Sequence, residues 1–196
     1  SGVGLLTTHV PQVGLSVMQT TVPEAMCSVD ENKDYFTSIK DTEKYNAIGV
    51  GPGIGLEKQT QNALKLLIQN TALPMVIDAD ALNILAENKT WIAFLPNNSI
   101  LTPHPKEFER LVGKWNNDEE RLQMQRDLAI KHQLVVVLKG AYTAVALPNG
   151  KVYFNSSGNA GMATGGSGDV LTGIITSLLA QGYAPEQAAI TGVYLH

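Results

Sequence analysis

The sequence predicts an α/β fold: a mostly parallel central sheet covered by helices on both faces, with a β-hairpin added late in the chain. Three observations carry this. Short aliphatic runs alternate with amphipathic stretches along the chain. The runs are apolar almost throughout, not at every second residue, as strands buried on both faces are. Asn149-Gly150 separates two of the late runs, and this dipeptide is a strong hairpin signal.

In chain order the predicted strands occupy residues 5–10, 47–50, 75–78, 99–102, 134–139, 144–148 and 152–154. Helical spacing predicts helices over 58–69, 81–87, 106–112, 118–132 and 169–181. The last is the clearest. Val170, Leu171, Ile174, Ile175, Leu178 and Leu179 form one stripe, and Gly182 supplies a stop. Pro185 suits the first turn of a further helix. Ligands of such sheets bind at the carboxyl ends of the strands, so chemistry is sought there.

Composition sets the limits. The 196 residues make one domain, or one domain plus a fragment, with 44% apolar and 16% charged residues in a globular balance. The longest aliphatic run, 134–138, is far short of the ~20 residues that span a bilayer. A net charge of −4, from 14 basic and 18 acidic side chains, disfavours a nucleic-acid partner. Cys27 is the single cysteine, which excludes an internal disulfide and a cysteine zinc site. It points to a reducing, cytoplasmic setting. The chain opens without methionine or a signal-like segment and stops at Tyr194-Leu195-His196, within a predicted helix. We therefore expect part of a longer protein.

Common nucleotide motifs are missing. Gly113-Lys114 and Gly150-Lys151 lack the Ser or Thr and the upstream glycine of a P-loop. Gly2-Val3-Gly4 and Gly51-Pro52-Gly53 lack the third glycine of a dinucleotide fingerprint. Gly165-Gly166-Ser167-Gly168-Asp169 departs from the nucleophile elbow at its last position. The four histidines have no metal-ligand spacing, and no metal ligand is assigned.

What stands out is residues 158–169, with five glycines in twelve positions leading into the clearest helix. Glycine lets backbone N–H groups converge, and a helix start adds unpaired donors and the positive end of the dipole. Together they make an anion pocket. Asp169 at its rim can take a proton from a hydroxyl attacking a bound phosphoryl group. The plain alternative, an Asp cap after a tight turn, needs far fewer glycines.

Gly165-Gly166-Ser167-Gly168-Asp169 resembles the anion-hole signature of the ribokinase-like superfamily. The longer string Asn159-Ala160-Gly161-Met162-Ala163-Thr164-Gly165-Gly166-Ser167-Gly168-Asp169-Val170-Leu171-Thr172-Gly173 is similar to the ADP/ATP-dependent NAD(P)H-hydrate dehydratase family. Three further segments agree in order and spacing: Val50-Gly51-Pro52-Gly53-Ile54-Gly55, Val76-Ile77-Asp78-Ala79-Asp80-Ala81-Leu82-Asn83, and Leu101-Thr102-Pro103-His104-Pro105-Lys106-Glu107-Phe108. The resemblance covers almost the whole chain. The opening Ser1-Gly2-Val3-Gly4-Leu5-Leu6-Thr7-Thr8 resembles a family segment that a strand and a helix precede. It implies one domain over 1–196 that lacks this first strand–helix unit and its C-terminal end.

The resemblance implies site residues as well. Asp169, with Gly166, Ser167 and Gly168, forms the catalytic group. Gly53, Asp78, His104, Pro105, Lys106, Glu107, Phe108, Glu109, Arg110 and Asp169 line the hydrated nicotinamide nucleotide, NADHX or NADPHX. Lys139, Gly140, Ala141, Tyr142, Thr143, and Asn159 through Ala160, Gly161, Met162, Ala163, Thr164, Gly165, Gly166, Ser167 and Gly168, line the adenine nucleotide. Read alone, these residues leave alternatives open. Asp80 is read as an N-cap of the helix that follows it, and Asn83 as facing the cleft. His104 is stiffened by its flanking prolines. Lys106 replaces a common family glycine, and either adds a cation near phosphate or faces solvent. Lys139 either reaches a phosphate or snorkels. Ser167 replaces a usual threonine and keeps the hydroxyl.

The implied function is a hydro-lyase of metabolite repair, restoring NADH and NADPH at the expense of ADP or ATP, with Mg2+ on the phosphates. The implied partner is an NAD(P)HX epimerase, fused or separate; a homo-oligomer is left open. The alternatives are a ribokinase-like small-molecule kinase and a non-catalytic nucleotide-binding module.

Overall fold

The structure is a computed structural model describing residues 2–39 and 41–196. Ser1, the first residue of the opening segment compared above, lies outside them. Strand β1 (Thr7–Val10) pairs in parallel with β2 (Met26–Val29) in a two-stranded sheet. Helix α1 (Leu15–Thr21) joins them and buries no residue. Sequence reading misses both α1 and β2. The reason is that neither has an apolar face: α1 is short and exposed, and β2 is half-buried at best.

The main sheet holds six strands in chain order: β3 (Ile48–Val50), β4 (Met75–Ile77), β5 (Ile100–Leu101), β6 (Val135–Leu138), β7 (Ala144–Ala146) and β8 (Val152–Phe154). The first four are parallel; β7 and β8 run antiparallel to their neighbours. The β7–β8 hairpin turns at Asn149-Gly150, as predicted. The strand before it ends two residues early, because Leu147 and Pro148 belong to the turn. Gly150 N donates to Leu147 O, and Lys151 N to Asn149 Oδ1.

The helices are α2 (Lys58–Asn70), α3 (Ala79–Glu87), α4 (Pro105–Val112), α5 (Asp118–His132), α6 (Ser167–Ala180) and α7 (Pro185–Leu195). From β3 to β6 the chain steps one strand over in a constant direction. Right-handed crossovers then place α2 to α5 on the same face. Leu64, Leu82, Phe108 and Leu128 of those helices pack with Ile77, Leu101, Val136 and Leu138. On the other face Leu171, Ile175 and Ala189 of α6 and α7 pack with Val76, Ile100, Val135 and Val137. This double cover is why β6 is buried at every position. Each such aliphatic side chain contributes roughly 1.5–3 kcal/mol on burial. No helix among the described residues is long and apolar enough to cross a membrane.

Candidate active site

The carboxyl ends of β3 to β6 form one rim, and the pairing runs a step past each strand. Asp78 N donates to Val50 O, Thr102 N to Ile77 O, and Lys139 N to Pro103 O. Three of the recognised segments and Lys139 are thus held side by side. Helix α6 arrives from the opposite face and brings the fourth. Gly51 lies flat against the backbone of Asp78, where a Cβ would overlap the Asp78 carbonyl. Ala79 takes φ +47°, rare for alanine, as the chain leaves β4 for α3.

Asp78 is the hub. It is 1% exposed. Its Oδ1 accepts from Lys139 Nζ at 2.7 Å and its Oδ2 from Thr172 Oγ1 at 2.8 Å. Both carboxylate oxygens are engaged, which is what a buried anion requires. Gly168 of α6 sits directly on this pair. A Cβ there would stand 3.1 Å from Lys139 Nζ and 3.5 Å from Asp78 Oδ2. A cation is therefore fixed beneath the first turn of α6.

That turn is open. Residues 156–166 are exposed throughout. Helix α6 begins at Ser167, two residues before the predicted start. Gly166, at φ +84°, is its N-cap, and its carbonyl accepts from Val170 N at 3.1 Å. The amides of Gly166, Gly168 and Asp169 meet no acceptor among the described residues, whereas Ser167 N donates to Thr164 O at 3.3 Å. The donor set therefore includes the amide of Asp169 itself, and Ser167 N is partly diverted. The Asp169 carboxylate is exposed and makes no ion pair or hydrogen bond among the described residues.

The chain just before the second nucleotide-lining segment touches the first. Gly158 packs against the Ala141 carbonyl, and Asn155 N donates to Thr143 O at 2.9 Å. Gly140 N and Thr143 Oγ1 close the 139–143 loop at 3.3 Å. Ala141 and Tyr142 are exposed. Asn159 Oδ1 accepts from Gly161 N at 2.8 Å, opening a single turn over Ala160–Met162.

On the other side of the rim the residues divide. Gly53 is exposed and open. His104 is the N-cap of α4. Its Nδ1 accepts from Lys106 N and Glu107 N, while Glu107 returns a bond to His104 N at 2.8 Å. Pro105, Lys106 and Arg110 are exposed, and Glu109 is half-buried. Phe108 is fully buried against Trp115, so its side chain serves the core and not a ligand. Asn83 accepts from Arg110 at 2.7 Å. Asp80 is not the cap of α3, which starts at Ala79 with Asp78 in the cap position. Asp80 instead ties down the glycine loop, its Oδ2 accepting from Gly55 N at 3.0 Å.

Two residues at the site carry no role from sequence. Thr172 had a signal, a hydroxyl next to Leu171 and Ile175 in a buried stripe. His196 had none; its Nε2 lies 2.8 Å from Ser167 O.

Residues 1–196 match the family model described as NAD(P)H-hydrate dehydratase. The chain is 39% identical to a bifunctional NAD(P)H-hydrate repair enzyme of Moorella thermoacetica, over 100% of this chain and 39% of that protein. It is 44% identical to an ADP-dependent (S)-NAD(P)H-hydrate dehydratase of Neisseria meningitidis, over 83% of this chain and 57% of that one. The chain thus spans less than two thirds of either relative. A crystal structure of the ADP/ATP-dependent NAD(P)H-hydrate dehydratase of Bacillus subtilis, co-crystallised with ATP/Mg2+ and soaked with CoA, superposes with a TM-score of 0.81 at 30% identity. That match covers 100% of this chain and 71% of the other. Four motifs converging on one rim, together with a match over the full length, make this chain a member of the NAD(P)H-hydrate dehydratase family.

Proposed function

We propose that the protein dehydrates NAD(P)HX to NADH and NADPH, using ADP or ATP through a phosphorylated intermediate. The observation that carries this reading is the open turn at the start of α6. Unpaired amides and a free carboxylate lie there above the buried Lys139–Asp78 pair. Hydroxide leaves a hydrated ring poorly, whereas phosphate leaves well. Asp169 takes the proton of the ring hydroxyl as its oxygen attacks the terminal phosphorus of the nucleotide. The new O–P bond forms as the bond to the nucleotide's bridging oxygen breaks, releasing AMP from ADP or ADP from ATP. The amides of Gly166, Gly168 and Asp169 stabilise the charge on the phosphoryl oxygens, and Lys139 adds a cation from below. The ring nitrogen's lone pair then expels phosphate. Loss of a ring proton restores the dihydronicotinamide.

The described residues include no group of three or more His, Cys, Asp or Glu placed to hold a metal. Both oxygens of Asp78 are engaged. The described residues thus offer no protein cage for Mg2+, which suits an ion that arrives on nucleotide phosphates. No step above is assigned to it.

In this reading the substrate runs from Gly53 past His104 towards Arg110, and the adenine nucleotide lies along 139–143 and 159–168. The separation of β1–β2 from the six-stranded sheet supports a domain with one more strand–helix unit. The relatives named bifunctional support a second repair activity, an NAD(P)HX epimerase, fused or separate. The setting is cytoplasmic. The test is to incubate the complete protein with chemically hydrated NADH and each nucleotide. Recovery of the reduced-ring absorbance with release of phosphate is expected. A stable phosphorylated product would make the protein a kinase instead.

A further inference from the structure

Helices α6 and α7 form an antiparallel pair joined by four residues, 181–184. Their lengths, 14 and 11 residues, correspond to about 21 and 17 Å of rise. The end of α7 therefore returns to the start of α6. Gly192, packed on Ile175, brings the helices close. The residue delivered to the anion turn is His196, half-buried and held by its own N–H to Gly192 O at 3.1 Å.

We infer that His196 is a positioning residue that aims the Ser167 hydroxyl at the bound phosphoryl group; this rests on the function proposed above. Its Nε2 lies 2.8 Å from Ser167 O and 3.2 Å from Ser167 Oγ. A carbonyl oxygen can only accept, so Nε2 carries a proton and donates. The nearby Oγ then receives the same N–H through a lone pair. Its own proton is left without an acceptor among the described residues, on a side chain at the first position of α6 beside the unpaired amides of Gly168 and Asp169. Ser167 N is partly diverted to Thr164, so the hydroxyl is this residue's available donor. Without His196 the hydroxyl can turn back on the helix or rotate freely, and the donor is no longer preset.

The experiment measures ADP and ATP affinity and phosphate release in the complete protein for His196→Ala, His196→Gln, Ser167→Ala and the double variant His196→Ala/Ser167→Ala. Loss of one neutral hydrogen bond predicts nucleotide affinity weakened roughly threefold to tenfold in His196→Ala. Gln, which can present a donor in place of Nε2, restores most of it. The double variant is no weaker than Ser167→Ala, because both act through one hydroxyl. Additive losses, or a fall in melting temperature with unchanged affinity, overturn the inference. If His196→Ala fails to fold, the pair His196→Gln and Ser167→Ala decides: wild-type affinity in Ser167→Ala overturns it. A wild type that binds nucleotide but repairs no hydrate removes the functional reading and leaves this test intact. A wild type that binds neither nucleotide removes both.

Discussion

Lys139 and Asp78 stand 61 positions apart in the chain and 2.7 Å apart in space, directly beneath the first turn of α6. The Asp78 side chain is almost sealed from water, and the Lys139 side chain is about one-fifth exposed. The asymmetry decides what each substitution does. Lys139→Met strands a buried carboxylate and is expected to cost about 3 kcal/mol. Asp78→Asn keeps a partner for Thr172 and leaves Lys139 its access to solvent, so it should cost about 1–2 kcal/mol. The double variant should be more stable than Lys139→Met alone. Urea unfolding of the three proteins checks the order, and equal small losses would show that the pair is not the buried hub.

Asp169 lies on the same turn and behaves oppositely. It is exposed and pairs with nothing among the described residues, so Asp169→Asn should change stability by no more than about 0.5 kcal/mol. If it is the general base of the proposed reaction, the substitution should lower turnover by about 10²–10⁴-fold, with ADP still bound. Phosphate release and calorimetric ADP titration separate the two effects. Turnover close to the wild type would remove Asp169 from the mechanism.

The contrast between these two carboxylates explains what could be read in advance. Asp169 follows a local glycine string, and local strings are legible. So is β6, whose Val-Val-Val-Leu run announces burial on both faces. The Lys139–Asp78–Thr172 link joins three segments through space, and nothing in any one of them encodes it. Helix α6 starts two residues before its predicted position for a related reason. Gly166 and Ser167 have weak helical preference, and what begins the helix is a backbone bond from Val170 N to Gly166 O. Asp80 tethers the glycine loop and does not cap α3; an acidic residue at a strand end suits either role equally. Helix α1 and strand β2 have too little apolar face to signal themselves.

In the β1–β2 sheet, Asp30 is the organising residue. Burial alone would raise its pKa. Hydrogen bonds from Thr37 Oγ1, Asn32 N, Thr37 N and the His9 ring outweigh that and hold the carboxyl well below the usual range. A depressed folded pKa gives stability that is complete above the unfolded value of about 3.9 and is lost as pH falls towards the folded one. Melting temperature should therefore decline below about pH 4. Asp30→Asn should lose about 2–3 kcal/mol at neutral pH and show a flatter acid limb. Thermal melts of both proteins from neutral to acid pH test this; parallel acid limbs would place the acid sensitivity elsewhere.

His104 allows structure and recognition to be separated in one side chain. Its Nδ1 caps α4 through Lys106 N and Glu107 N, at 3.1 and 3.3 Å. Its Nε2 lies 3.3 Å from Glu107 Oε1, and its side chain is still 45% exposed. Removing the cap in His104→Ala should cost about 1 kcal/mol, while His104→Asn, itself a strong cap, should keep that stability. If the exposed ring edge also meets the hydrated nucleotide, as the family resemblance implies, both variants should raise the KM for NADHX by a similar factor, roughly threefold to tenfold. Melting temperatures would then split the two variants while KM does not. Should Asn recover KM together with stability, the ring is a cap alone and carries no substrate contact.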